Sequence, residues 1–91
     1  MERLKDRVAI VTGAASGIGR AVAQRFCDEG ARVFAVDRNA ETLRRLPPDS
    51  DRWSSYLSDI SVKGASAALI DACVARFGRL DILVNIAGLG N

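Results

Sequence analysis

The chain has 91 residues, of which 48% are hydrophobic and 26% charged, and its formal net charge is +2. This length allows one small domain, and the scattered charges exclude the dense basic stripe of a nucleic-acid-binding surface. Residues 1–7 are too charged for a signal peptide, and no apolar run approaches the roughly 18 residues of a membrane span, so we expect a cytoplasmic protein.

The sequence contains two cysteines, Cys27 and Cys73, and no histidine. A zinc site built from cysteine and histidine is therefore excluded within the chain, as is a Ser/His/Asp or Cys/His catalytic group. Both cysteines fall within predicted helices. Because cytosolic thiols stay reduced, we expect two buried thiols rather than a disulfide.

The first predicted elements are a strand at residues 7–12 and a helix at residues 17–29. The strand is an apolar run, and the helix shows apolar periodicity. A turn with three glycines in seven residues joins them. This stretch is therefore predicted to be a strand, a tight loop and a helix.

Each glycine of the turn has a physical role. Gly13 can turn the chain with a positive φ, Gly17 would let the backbone approach a ligand, and Gly19 would let the helix lie close to the strand. The first turn of the helix offers unpaired N–H groups and partial positive charge, and Ser16 could add a hydroxyl donor, so a phosphate suits this loop. The alternative is an ordinary glycine-rich turn without a ligand.

The second strand is predicted at residues 32–37 and ends in Asp37. Asp37 lies eighteen residues beyond Gly19, close to the roughly 20-residue offset at which an acid bonds the ribose hydroxyls of a dinucleotide. The structural alternatives for Asp37 are a turn acid or a helix cap. Arg38 could pair with a phosphate or point into solvent.

Four further elements complete the pattern. They are a short helix capped by Asn39, a third strand, a helix capped by Ser61 and a fourth strand, at residues 40–46, 53–57, 62–77 and 81–87. Gly64 would weaken the third helix by roughly 1 kcal/mol relative to alanine, unless close packing needs the missing side chain. The order βαβαβαβ with near-continuous apolar strands predicts the α/β class, with a parallel sheet covered on both faces.

Residues 12–19, Thr-Gly-Ala-Ala-Ser-Gly-Ile-Gly, resemble the T-G-x-x-x-G-x-G cofactor loop of the short-chain dehydrogenases/reductases. The resemblance extends to Asp59 after the third strand and to residues 85–88, Asn-Ile-Ala-Gly, which are similar to the family's N-N-A-G segment. It therefore spans essentially the whole chain. Ile86 stands where the family has its second asparagine, which puts one polar contact in question.

The resemblance implies a Rossmann-like, doubly wound parallel sheet in which this chain supplies four strands in the order 3-2-1-4. The first two helices would cover one face and the third helix the other. The crevice would lie between the first and fourth strands. Residues 1–91 are then expected to be the N-terminal half of a dinucleotide-binding domain.

The resemblance also implies a cofactor site. Asp59 would bond the adenine amino group with Ile60 lending its backbone, although a helix-capping carboxylate is an equal alternative for Asp59. NAD is favoured over NADP, because Asp37 about 4 Å from a 2′-phosphate would be repelled by roughly 4 kcal/mol per unit charge at an effective dielectric near 20. The complete candidate set is Gly13, Ser16, Gly17, Ile18, Gly19, Asp37, Arg38, Asp59, Ile60, Asn85, Ala87 and Gly88.

No catalytic residue is assigned within the chain. The family's catalytic serine, tyrosine and lysine follow the part that this sequence matches, and Tyr56 is followed four residues later by Ile60 rather than by lysine. We therefore expect the cofactor-binding part of an NAD-dependent oxidoreductase that acts on an unidentified carbonyl or alcohol, and a homo-oligomer where the full-length chain is present. The alternative is a catalytically empty nucleotide-binding or interaction module that pairs with a partner chain.

Overall fold

The computed structural model describes residues 3–86, and within them four parallel strands form one sheet. The strand order is β3-β2-β1-β4, which confirms the predicted α/β class and topology. No helix in the described range is long and apolar enough to cross a membrane. The elements are β1 Val8–Thr12, α1 Gly17–Asp28, β2 Arg32–Asp37, α2 Ala40–Leu43, β3 Trp53–Leu57, α3 Ala65–Phe77 and β4 Ile82–Asn85.

Side chains alternate between the two faces of the sheet, and this alternation divides the core into two layers. On one face, Val11, Val33 and Ala35 pack with Ala23 of α1. The other face carries the second cluster, which includes three side chains of α3 and consists of Val8, Ile10, Phe34, Val36, Leu69, Cys73 and Phe77. The predicted distribution of helices is confirmed, with α1 and α2 on one face and α3 on the other.

The two cysteines lie in these separate layers. Cys73 is buried in the α3 layer, and Cys27 packs against the α1 layer. Burial raises the pKa of the Cys73 thiol to about 11. Both thiols are free, as predicted, and they lie in separate layers of the core; Cys73 is buried as predicted, whereas Cys27 is only half-buried.

The helix α2 ends at Leu43 rather than at residue 46. Its N-cap is Asn39, as predicted, and the side-chain oxygen accepts hydrogen bonds from two backbone N–H groups of the first turn. After Leu43 the chain tightens into turns in which Leu46 N–H bonds Leu43 C=O. The two prolines that follow cannot continue a helix, and Leu46 turns inward to fill the α1 layer.

The predicted start of α3 is wrong: the helix begins at Ala65, and Ser61 is not its cap. The Ser61 hydroxyl donates to the carboxylate of Asp59 at 2.6 Å, so it does not cap the helix. The N-cap is Gly64, whose φ of 85° is left-handed and stops the helix from extending towards residue 62. A Cβ at Gly64 would meet nothing within 4 Å, so this position needs glycine for its backbone conformation and not for packing.

The outer edge of β3 is covered at its beginning by the preceding loop. Ser50 N–H donates to Trp53 C=O at 2.8 Å, and the Asp49 carboxylate accepts Ser55 N–H at 2.9 Å. The Trp53 C=O and the Ser55 N–H both point away from β2, towards the side on which a further strand would otherwise pair. The loop thus satisfies the first half of this edge within the chain itself.

The strand β4 is held against β1 by Asp81. Its backbone N–H donates to Val8 C=O, and its carboxylate accepts Val8 N–H, both at 2.9 Å. Arg79 and Arg7 pair with the same carboxylate, at 2.7 Å and 3.5 Å. The predicted strand at 81–87 is shorter in the structure, since Ile86 has already left the ladder and residue 87 lies outside the described range.

Replacing Asp81 by asparagine is expected to lower the free energy of unfolding near neutral pH and to have little effect near pH 2. Hydrogen bonds from Arg79 and from Val8 N–H lower the pKa of Asp81 from 3.8 to about 2. A lowered native pKa means that the stabilisation is complete above pH 3.8 and disappears as the pH falls towards 2. Urea unfolding of both proteins across this range is the measurement. If the difference in free energy of unfolding between the two proteins stays constant with pH, the predicted role of Asp81 is wrong.

Candidate cofactor-binding site

A cavity of about 730 Å³ opens at the carboxyl ends of the strands. Parallel sheets bind their ligands at this edge. Eight of the predicted residues line it: Gly13, Ser16, Gly17, Ile18, Asp37, Arg38, Asp59 and Ile60. Five lining residues were not predicted, namely Thr12, Val36, Ser58, Ser61 and Ile86. The structure therefore brings the glycine loop, the end of β2 and the segment after β3 around one space.

The glycine loop has the geometry that its sequence requires. Gly13 has a φ of 69°, a left-handed conformation that side chains disfavour. A Cβ on Gly19 would lie 1.9 Å from the carbonyl oxygen of Gly13, so the start of α1 can touch the loop only because Gly19 has no side chain. At Gly17 a Cβ would meet no atom within 4 Å, so this face of the loop is open.

Ser16 closes the loop from within. Its hydroxyl donates to Gly13 C=O at 2.7 Å and accepts Gly19 N–H at 3.1 Å, so the side chain caps α1. The hydroxyl proton predicted as a phosphate donor is thus used inside the loop. Within residues 3–86, the N–H groups of Gly17 and Ile18 donate to no protein acceptor, which leaves two aligned donors at the cavity.

The carboxylate of Asp37 lies beside this loop and uses both oxygens. Oδ2 accepts the N–H of Ala15 at 3.0 Å, and Oδ1 accepts the N–H of Asn39 at 3.0 Å. Each carboxylate oxygen can accept a further hydrogen bond, so both remain available to hydroxyl donors. The predicted alternative of a turn acid describes the Asn39 bond, whereas the bond to Ala15 was not predicted.

Asp59 lines the cavity beside the end of β2, where Ser58 N–H donates to Asp37 C=O at 2.9 Å. Its Oδ1 accepts Ser61 N–H at 3.0 Å and the Ser61 hydroxyl, and these bonds, with the positive charge of Arg38, hold its pKa below the ordinary value. The helix-cap alternative for Asp59 is wrong, because Gly64 is the N-cap of α3. Its second oxygen, Oδ2, accepts no hydrogen bond from residues 3–86 and remains available to accept one from an amino group.

Two further predicted residues, Gly19 and Asn85, do not line the cavity. Gly19 packs behind the loop, and Asn85 ends β4, where its side-chain oxygen accepts the hydroxyl of Thr12 at 2.7 Å. Ala87 and Gly88 lie outside the described residues. Ile86, the departure from the N-N-A-G pattern, contributes an apolar surface to the cavity.

These groups fit the adenosine diphosphate half of a dinucleotide. The free N–H groups of Gly17 and Ile18 suit a pyrophosphate, and the open space at Gly17 lets it approach the backbone. The carboxylate of Asp37 suits ribose hydroxyls, and the exposed Ile18 side chain offers an apolar contact. Among residues 3–86 no group of three or more potential metal ligands occurs.

The model of the short chain dehydrogenase family matches residues 7–91. The chain belongs to the short-chain dehydrogenase family. The resemblance seen in the glycine loop is thereby confirmed, and the fold is that of an oxidoreductase family that binds nicotinamide dinucleotides.

Similar proteins act on different substrates. The D-threitol dehydrogenase of Mycolicibacterium smegmatis is 45% identical over an alignment 91 residues long. The alignment covers 96% of this chain and 35% of that enzyme. The 3-ketoacyl-(acyl-carrier-protein) reductase of Brucella melitensis, complexed with NADH, has a TM-score of 0.80 at 37% identity, over 88% of this chain and 34% of that one. The C-domain of a bacterial malonyl-CoA reductase with NADP has a TM-score of 0.84 at 25% identity, over 93% of this chain and 15% of that one.

This short-chain dehydrogenase chain thus spans about a third of the length of the D-threitol dehydrogenase and the ketoacyl reductase. The part that it shares with them holds the strands, helices and loop described above. Because the two structural neighbours carry NADH and NADP respectively, the family establishes a nicotinamide dinucleotide as the cofactor class.

Proposed function

We propose that the chain is the cofactor-binding part of an NAD(H)-dependent dehydrogenase or reductase that acts on a carbonyl or alcohol group. The observation that carries this proposal is that the carboxylate of Asp37 and the free N–H groups of Gly17 and Ile18 line one cavity. The N–H groups favour a pyrophosphate, and the carboxylate favours an unmodified ribose beside it.

The preference for NAD over NADP rests on charge. A carboxylate that accepts ribose hydroxyls contributes about 1.5–3 kcal/mol through charged hydrogen bonds. A 2′-phosphate at the same place would bring like charges together. Arg38 also lines the cavity, and its positive charge contributes to the lowered pKa of Asp59. Arg38 forms no ion pair within residues 3–86, so its charge remains available to a phosphate, and the preference for NAD rests on Asp37.

Each part of the site has one task in this mechanism. The nicotinamide dinucleotide supplies hydride transfer to or from a carbon atom of the substrate. The residues of this chain bind and orient the cofactor: the loop N–H groups hold the pyrophosphate, Asp37 holds the adenosine ribose, and Asp59 accepts from the adenine amino group. We assign no proton transfer to the described residues.

A direct test is titration of the 91-residue protein with NAD and with NADP, monitored by calorimetry. We expect NAD to bind at least about tenfold more tightly, because the hydroxyl contacts and the absence of repulsion act in the same direction. Equal affinities, or tighter binding of NADP, would contradict the proposed cofactor. Failure of both to bind would contradict the proposed site.

The alternative proposal is a nucleotide-binding or interaction module without catalysis. The side chain of Leu83 on β4 is 56% exposed, and within residues 3–86 this strand pairs with β1 alone. An apolar strand face of this kind suits a protein partner. This alternative makes the same prediction for cofactor binding and differs in predicting no hydride transfer by the native protein.

A further inference from the structure

We propose that Asp37 is also a positioning residue for the glycine loop, which it holds in the cofactor-binding conformation before any cofactor arrives. The proposal extends the proposed function, in which Asp37 contacts only the ribose. It assigns this carboxylate a second role, which acts on the pyrophosphate end of the site through the backbone of Ala15.

The loop is tied to β2 by two consecutive N–H groups. Ala14 N–H donates to Val36 C=O at 3.0 Å, which is a backbone bond that any residue at these positions would make. Ala15 N–H donates to Oδ2 of Asp37 at 3.0 Å, which depends on the side chain. The second tie is charge-assisted, so it is the stronger of the two.

The other oxygen of the same carboxylate is fixed as well. Oδ1 accepts the N–H of Asn39, and Asn39 itself caps α2. The carboxylate is therefore held from two sides and bridges the glycine loop to the start of α2. Rotation of the Asp37 side chain away from the cavity would break both bonds.

This arrangement has a consequence for anion binding. The N–H groups of Gly17 and Ile18 follow Ala15 within three residues, so a change in the conformation of Ala15 is expected to move them. If the carboxylate acted only as a negative charge, its removal would increase the affinity of the loop for an anion. If it positions the loop, its removal lowers that affinity. The two roles therefore predict changes of opposite sign in the affinity for an anion.

The first measurement is amide hydrogen exchange by NMR on the cofactor-free protein. In Asp37→Ala we expect exchange at Ala15 and Asn39 to accelerate about tenfold or more, while Ala35 inside β2 keeps its rate. Asp37→Asn retains a single side-chain oxygen, so one of the two amides should remain protected. Unchanged exchange at Ala15 in Asp37→Ala would overturn the proposal. If the alanine variant loses protection at Ala35, the asparagine variant decides, and unchanged exchange at both amides overturns the proposal.

The second measurement is the affinity for inorganic pyrophosphate, which has no ribose for Asp37 to contact. We expect affinity to fall about fivefold in Asp37→Ala, despite the loss of a negative charge. The matched control is Glu41→Ala, which removes one negative charge from α2 outside the cavity and away from the glycine loop, and affinity there should not fall. Unchanged or increased affinity in Asp37→Ala would overturn the positioning role.

The two proposals fail in distinguishable ways. Absence of pyrophosphate and NAD binding to the unmodified protein would overturn the proposed function, and amide exchange would still decide the role of Asp37. Preferential binding of NAD together with unchanged exchange at Ala15 in Asp37→Ala would leave the function standing and overturn the positioning role.

Discussion

Replacing Gly19 by alanine is expected to destabilise the protein by about 3 kcal/mol and to abolish cofactor binding. The new Cβ would lie 1.9 Å from the carbonyl oxygen of Gly13 and 2.6 Å from its carbonyl carbon. Both are backbone atoms, so relief of the overlap requires the loop and α1 to separate. For a domain of this size, the midpoint of thermal unfolding should fall by about 12–24 °C.

The matched control is Gly17→Ala, two residues away on the same loop. Its Cβ would meet no protein atom, and alanine has a higher helix propensity than glycine, so stability should be retained or slightly increased. Cofactor affinity should nevertheless fall, since Gly17 lines the cavity. Thermal unfolding and NAD titration of both variants separate the two roles. Equal loss of stability in both variants would show that the close approach at Gly19 is not what requires glycine.

Replacing Asp37 by alanine is expected to weaken NAD binding by about 1.5–3 kcal/mol, or roughly 10- to 150-fold. Binding of NADP should weaken less or improve, because the variant also removes a repulsion of about 4 kcal/mol at 4 Å and an effective dielectric near 20. The ratio of the two affinities should therefore shift towards NADP by at least about a hundredfold. Calorimetric titration of the variant with each cofactor gives this ratio.

A charge-matched control for this experiment is Glu41→Ala. Glu41 is exposed on α2, pairs with Arg44 at 2.8 Å and does not line the cavity. Its removal changes the net charge by the same amount and should leave the ratio of NAD to NADP affinity unchanged. If the ratio is also unchanged in Asp37→Ala, then Asp37 does not contact the ribose.

Those features of the site that depend on short-range geometry could be predicted from the sequence. The positive φ of Gly13 and the close approach at Gly19 follow from the spacing of the glycines after a buried strand. The placement of Asp37 beside them follows from the length of one helix and one strand. The strand order could be predicted because crossovers between parallel strands are right-handed and because the chain resembles a family of known topology.

The remaining features depend on competition between hydrogen-bond partners, which the sequence does not resolve. Ser61 is a good helix cap by residue type, but Asp59 lies two residues before it and accepts the hydrogen bond of its hydroxyl. Ser16 similarly bonds Gly13 and Gly19 within the loop instead of facing a ligand. The bond from Ala15 to Asp37 joins groups that are 22 residues apart in the sequence, so no local pattern indicates it.

The covered edge of β3 makes the two edges of the sheet different. Since Asp49 and Ser50 occupy the hydrogen-bonding groups at the beginning of that edge, another chain cannot continue the sheet there without first displacing the loop. An added strand would instead join beside β4. The short loop at residues 47–52 thus opposes the pairing of a strand from another chain with the beginning of β3.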